Sequence, residues 1–178
     1  MAELIGVEKL NKVIKGFFDS LGYDEIEVFM SNEFAYYQDD EEVSYTIIED
    51  TDCDKGYQVY LSERFTEVPK ISAFVFSLLH ELGHHITLPL IKSKKQRLKV
   101  KKTKKIFERQ CAKAAKSPED YVNWQVRYCK LFDERIATEK AVQILLQNYK
   151  LITKYEKKIY KALAEFYKNN NLEAIFSA

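Results

Sequence analysis

Residues 71–88, Ile-Ser-Ala-Phe-Val-Phe-Ser-Leu-Leu-His-Glu-Leu-Gly-His-His-Ile-Thr-Leu, are the most apolar run of the chain, and all three histidines of the sequence lie within it. A run so apolar and free of proline has to be buried, and as a helix it is limited by Pro89. On that helix His80 and His84 are four residues apart and share one face, about 40° apart round the axis, with Glu81 on the turn between them. Two imidazoles beside a carboxylate suit a divalent metal, with the carboxylate left to work on a water that the metal activates. Without such a partner, His and Glu are costly to bury in this company. Leu78, Leu79, Leu82 and Ile86 supply core contacts, and Gly83 permits close approach of a neighbouring backbone.

The histidine count limits how the site is completed. A hydrolytic zinc site takes three protein ligands and an open position for water. The remaining histidine, His85, lies about 100° round the helix from His84 and cannot reach the same ion without unwinding the turn. A downstream histidine ligand is excluded, as is the pattern with Gly three and His six residues beyond the motif, since those positions are Thr87 and Leu90. The third ligand is therefore expected to be a carboxylate from a following helix, among Glu108, Glu119, Asp120, Asp133, Glu134 and Glu139. Glu119 and Asp120 are explained as first-turn acids of a helix that starts at Ser117-Pro118. Glu134 is preferred: its flanks are apolar and helical, and Ala137 and Ala141 on its face would let the helix pack tightly. Asp133 and Glu139 are the alternatives, and whichever is not a ligand could accept the second N–H of a ligating histidine.

The flanking pattern suggests the rest of the fold. Residues 3–20 have helical spacing, stopped at Leu21-Gly22. Ile26–Met30, Phe34–Gln38, Val43–Ile48 and Tyr57–Leu61 are short, rich in aromatic and β-branched residues, and separated by acidic turns, which reads as strands. Asp39–Glu42 and Asp50–Gly56 are expected to be solvated loops. Beyond residue 103 the spacing is helical, with one helix over about 118–148 or two meeting near Asp133, and a last helix over about 152–168. The expectation is an α+β fold: a small, mostly antiparallel sheet of three or four strands packed on the helix that bears the histidines, then a helical C-terminal half. A single domain over 1–178 is expected, with the basic segment 92–105 as an insertion.

Charge is distributed unevenly. Asp19 to Asp54 holds thirteen acidic residues and no Lys or Arg, and the chain from Lys55 onward carries a local net charge of +13. Electrostatic docking of the first third on the rest accounts for this. Lys92–Lys105 has eight lysines, one arginine and no acid, and no aromatic interleaves before Phe107. It is expected to be solvated or docked on the acidic third; nucleic-acid association is the lesser reading, and base stacking is not expected. Cys53, Cys111 and Cys129 are odd in number and far apart, which fits a reducing, cytoplasmic compartment. The N-terminus has no signal-peptide pattern, and the apolar run is too short to cross a membrane.

His80-Glu81-x-x-His84 followed by a helical Glu134 resembles zincin metallopeptidases of the glutamate-ligand type. Glu134-x-x-Ala137, with Ala141 beyond, resembles the third-ligand helix of the ImmA/IrrE family of small intracellular proteases that cut a repressor. That family usually has Asn after the Ala and a Phe-Ala pair beyond, where this chain has Thr138, Lys140 and Ala141, and 49 residues separate His84 from Glu134. The resemblance implies a zinc-dependent peptidase acting on a protein or peptide substrate, with Glu81 as general base. Tyr121, Tyr128, Tyr149, Tyr155 and Arg135 are the candidates to stabilise an oxyanion. An edge strand at Tyr57–Leu61 would hold an extended peptide. The alternative function is a non-catalytic protein- or DNA-binding module on the same scaffold.

Overall fold

The computed structural model describes residues 5–30, 36–37, 42–45, 59–65, 67–91, 94–114 and 116–170. The chain is mostly helical: α1 (Val7–Ser20), α2 (residues 59–64), α3 (Ala73–Thr87) with a 3₁₀ turn at Leu88–Leu90, α4 (Lys94–Ala114), α5 (Pro118–Cys129) and α6 (Phe132–Asn169). This corrects the α+β expectation of a three- or four-stranded sheet packed on the histidine helix. Among the described residues, extended pairing is confined to three segments of four, two and four residues: β1 (Glu27–Met30), β2 (Tyr36–Tyr37) and β3 (Glu42–Tyr45). β3 runs parallel to β1 and antiparallel to β2, so the pairing is mixed rather than mostly antiparallel.

Two expectations moved from other classes to helix, for identifiable reasons. The apolar run Tyr57–Leu61 was too short to separate strand from helix by period. Residues 59–64 are helical, Phe65 N–H closes on the Leu61 carbonyl at 2.9 Å, and Tyr60 is buried. The edge strand expected to bind a peptide is therefore not formed by residues 59–61. The basic segment, expected to be solvated or docked, is from Lys94 on the start of α4, because Lys, Gln and Arg are good helix formers and no Gly or Pro interrupts them. The acidic loops expected at 39–42 and 50–56 lie outside the described residues, apart from Glu42.

The backbone divides into two compact units, residues 1–49 with 147–178, and residues 50–146. In the first, α1 buries Leu10, Ile14, Phe17 and Phe18, and the last part of α6 buries Ile152, Ile159, Leu163 and Phe166. The rings of Phe17 and Tyr155 are 5.7 Å apart, and Asn170 exchanges hydrogen bonds with the backbone of Ile5 at 2.8 and 2.9 Å. α6 bends at Asn148 (φ −123°, ψ 21°), next to the unit boundary.

The second unit holds the histidine helix. Ser72 caps α3, its hydroxyl accepting from Val75 N–H, and Pro89 ends the helix in the 3₁₀ turn. Phe74, Val75, Phe76, Leu78, Leu79 and Leu82 are buried on α3. Opposite stands the first part of α6, with Ala137 and Ala141 fully buried. The two helices meet at Gly83, where a Cβ would lie 2.2 Å from the Ala137 carbonyl oxygen and 2.9 Å from its carbon. Only glycine permits that approach, because the obstruction is backbone and cannot rotate away. Ser117 starts α5, accepting from Asp120 N–H at 3.1 Å. The helix pattern that begins there breaks at residues 130–131, so two helices meet just before Asp133 rather than one running through. Among the described residues, no helix is long and apolar enough to cross a membrane.

Candidate metal centre

The close approach at Gly83 brings the first turn of α6 against the last turns of α3. Glu134 lies one turn before Ala137, so its side chain reaches the histidine face. Glu134 Oε2 is 2.9 Å from His80 Nε2 and 3.4 Å from His84 Nε2, and the two Nε2 atoms are 3.1 Å apart. The His80 and Glu134 side chains are each 3% exposed, and His84 is 18% exposed. This buried group of His80, His84 and Glu134 could hold a metal ion. A tetrahedral ion bound at about 2.0–2.1 Å from each ligand separates its ligands by about 3.3 Å. The triangle of ligand atoms observed here has edges of that size, and its two nitrogens and one oxygen suit a transition metal better than the all-oxygen shells of Ca²⁺ or Mg²⁺.

His80 and Glu134 are held from behind. His80 Nδ1 lies 3.1 Å from the Thr138 hydroxyl, a contact that directs Nε2 toward the centre. Glu134 Oε1 accepts from the ammonium of Lys104, which also stands 3.1 Å from Asp133 Oδ2. Lys104 lies over the Tyr128 ring, 5.4 Å from its centroid, and Phe107 packs on Tyr128 and Trp124. The charges follow this arrangement. Burial would raise the Glu134 carboxyl, but its bonds to His80 and His84 hold it well below the usual carboxylate range. Burial pulls the Lys104 ammonium down, and Glu134, Tyr128 and Asp133 together more than offset it, leaving it raised. Burial first, then the Glu134 charge, pushes the Tyr128 hydroxyl up.

Of the other sequence candidates, the Glu108 side chain lies outside what the structure describes, and the rest stand elsewhere. Asp133 is buried but engaged by Lys104, and Glu139 pairs with Arg64 at 2.9 Å and Arg135 at 3.2 Å. At His80 Nδ1 the structure puts the Thr138 hydroxyl rather than either carboxylate. Glu119 is exposed in the first turn of α5, and Asp120 bonds Ser117 in the cap. His85 is not among the converging ligand atoms. Of the candidates to stabilise an oxyanion, Tyr128 neighbours Glu134, Arg135 is paired with Glu139, and Tyr149 and Tyr155 belong to the first unit. Glu81, one residue from His80, is 7% exposed.

Lys104 and Thr138 were not singled out as site residues, although both leave a trace in the sequence. Thr138 lies four residues after Glu134, on the same helical face. Lys104 falls in the stripe Val100, Lys104, Phe107, Cys111, the half-buried face of an otherwise exposed α4. Beside the centre, a cavity of about 340 Å³ is walled by Leu90, Ile91, Val100, Leu131 and Phe132, with Lys104 and Asp133 at its polar end.

Comparison with known proteins finds no matching family model, no matching curated protein and no matching solved structure.

Proposed function

We propose that the chain is a zinc-dependent metallopeptidase. The observation that carries this reading is the convergence of His80 Nε2, His84 Nε2 and Glu134 Oε2 on one point, with a second carboxylate, Glu81, next to His80 on the same helix. A purely structural metal site has no need of that second carboxylate, whereas a hydrolytic one does. A bound zinc ion supplies an acidified water and polarisation of the scissile carbonyl. Glu81 would serve as the general base, its carboxylate accepting a proton and later passing it to the leaving amine. His80 and His84 would present their Nε2 atoms to the ion, with Thr138 fixing the ring of His80, and Glu134 would contribute the carboxylate of the ligand set.

The substrate is a peptide or protein, and the apolar cavity between Leu90, Val100 and Phe132 would take an apolar side chain beside the scissile bond. The likeness of His80-Glu81-x-x-His84 and Glu134-x-x-Ala137 to the ImmA/IrrE pattern favours a regulatory protease with a specific protein target. Metal analysis of the purified protein, with assay of a peptide library, tests the reading. Glu81→Gln should keep the metal and lose activity by about 10²-fold or more. Undiminished hydrolysis in that variant would sink the mechanism, and absence of bound zinc at neutral pH would sink the reading.

A further inference from the structure

Glu134 divides its two oxygens between two kinds of partner. Oε2 faces the imidazoles, and Oε1 is held by the ammonium of Lys104. Lys104 comes from a helix whose other lysines among residues 95–105 are exposed; it alone of them turns into the contact stripe with Val100, Phe107 and Cys111. A lysine in such a stripe is costly unless its charge is met, and Asp133 and Glu134 meet it. Tyr128 beneath the side chain and Phe107 against Tyr128 leave it little room to swing away.

We propose that Lys104 is a positioning residue that makes Glu134 a one-oxygen ligand: by occupying Oε1 it leaves only Oε2 for the ion. The inference rests on the metal reading above and adds to it the origin of the open coordination position. Two imidazole nitrogens and one carboxylate oxygen fill three of four tetrahedral positions, and the fourth is left for water and substrate. With Oε1 released, the same carboxylate could chelate through both oxygens and fill a further position. A lysine thirty positions before Glu134, on a basic helix, thereby sets how that carboxylate would meet the ion.

Cobalt(II) substitution tests this without reference to activity, because the intensity of the visible band falls as coordination rises above four. Wild-type protein should give the intense tetrahedral band. Lys104→Met should still bind cobalt, all three ligands being present, but lose band intensity, and Lys104→Arg, which restores a cation, should recover it. Circular dichroism checks the fold; should Lys104→Met fail to fold, Lys104→Leu, which also lacks a donor, reads the same band. A role in stability alone would lower the melting temperature and leave the band unchanged. Equal bands in wild type, Met or Leu, and Arg variants overturn the proposal while leaving the metal reading intact. Failure of wild type to bind cobalt, or binding that survives His80→Ala undiminished, overturns the metal reading and this proposal with it.

Discussion

The two parts of α6 make an instructive pair. Beyond Asn148 the helix buries Ile152, Ile159, Leu163 and Phe166, large apolar side chains that fill space and remove area from water. Over residues 134–141 the buried positions are Glu134, Ala137, Thr138 and Ala141, all small or polar, and large apolar residues resume only at Val142, Ile144 and Leu145. The first arrangement supplies stability. The second gives up side-chain volume so that backbones can approach at Gly83, and puts charge where an ion could balance it. The stretch beyond Asn148 thus serves as core in its unit, and the first turns of α6 support the candidate ligand Glu134 in the other.

Substitutions that exchange these two characters should have opposite signatures. Gly83→Ala forces a methyl into the Ala137 backbone and should cost about 3 kcal/mol or more, with loss of metal. Leu163→Ala should cost about 2–5 kcal/mol in denaturant titration while the folded protein keeps its metal affinity. Stability lost together with metal affinity in Leu163→Ala would break the contrast.

Thr138→Val keeps the shape and removes the hydroxyl from His80 Nδ1. Metal affinity measured by competition with a chelator should fall about 10–100-fold, with a stability cost of about 1–3 kcal/mol. An unchanged affinity would return Thr138 to simple packing.

The pH dependence of the metal-free protein should come from the same end of the helix. The Glu134 carboxyl is held below its ordinary value of 4.5, so the unfolded state binds the proton more readily. The contribution of Glu134 is therefore present above pH 4.5 and lost as pH falls below it. Acid titration of the melting temperature should show a shallower decline in Glu134→Gln.

Smallest of all should be Arg64→Ala. Its ion pair with Glu139 joins side chains 52% and 33% exposed, and its loss should cost about 1 kcal/mol or less with no effect on metal affinity.

What the sequence by itself determined is local and periodic. The spacing of His80 and His84, the proline that ends their helix, the cap at Ser117 and the small residues Ala137 and Ala141 could all be read from positions a few residues apart, because one helical turn fixes how such neighbours face. The histidine count also required a carboxylate partner if a metal is bound. The tertiary structure decided everything that joins distant positions. It selected Glu134 from among neighbouring acids, replaced Asp133 and Glu139 with Thr138 behind His80, and turned one lysine of a basic helix inward. It also made residues 59–64 and the 94–105 segment helical, where short apolar runs and dense charge carry no decisive period. His80 and Glu134 are 54 residues apart, and what brings them to 2.9 Å is backbone packing at Gly83 and Ala137, a property of two helices together that neither segment displays alone.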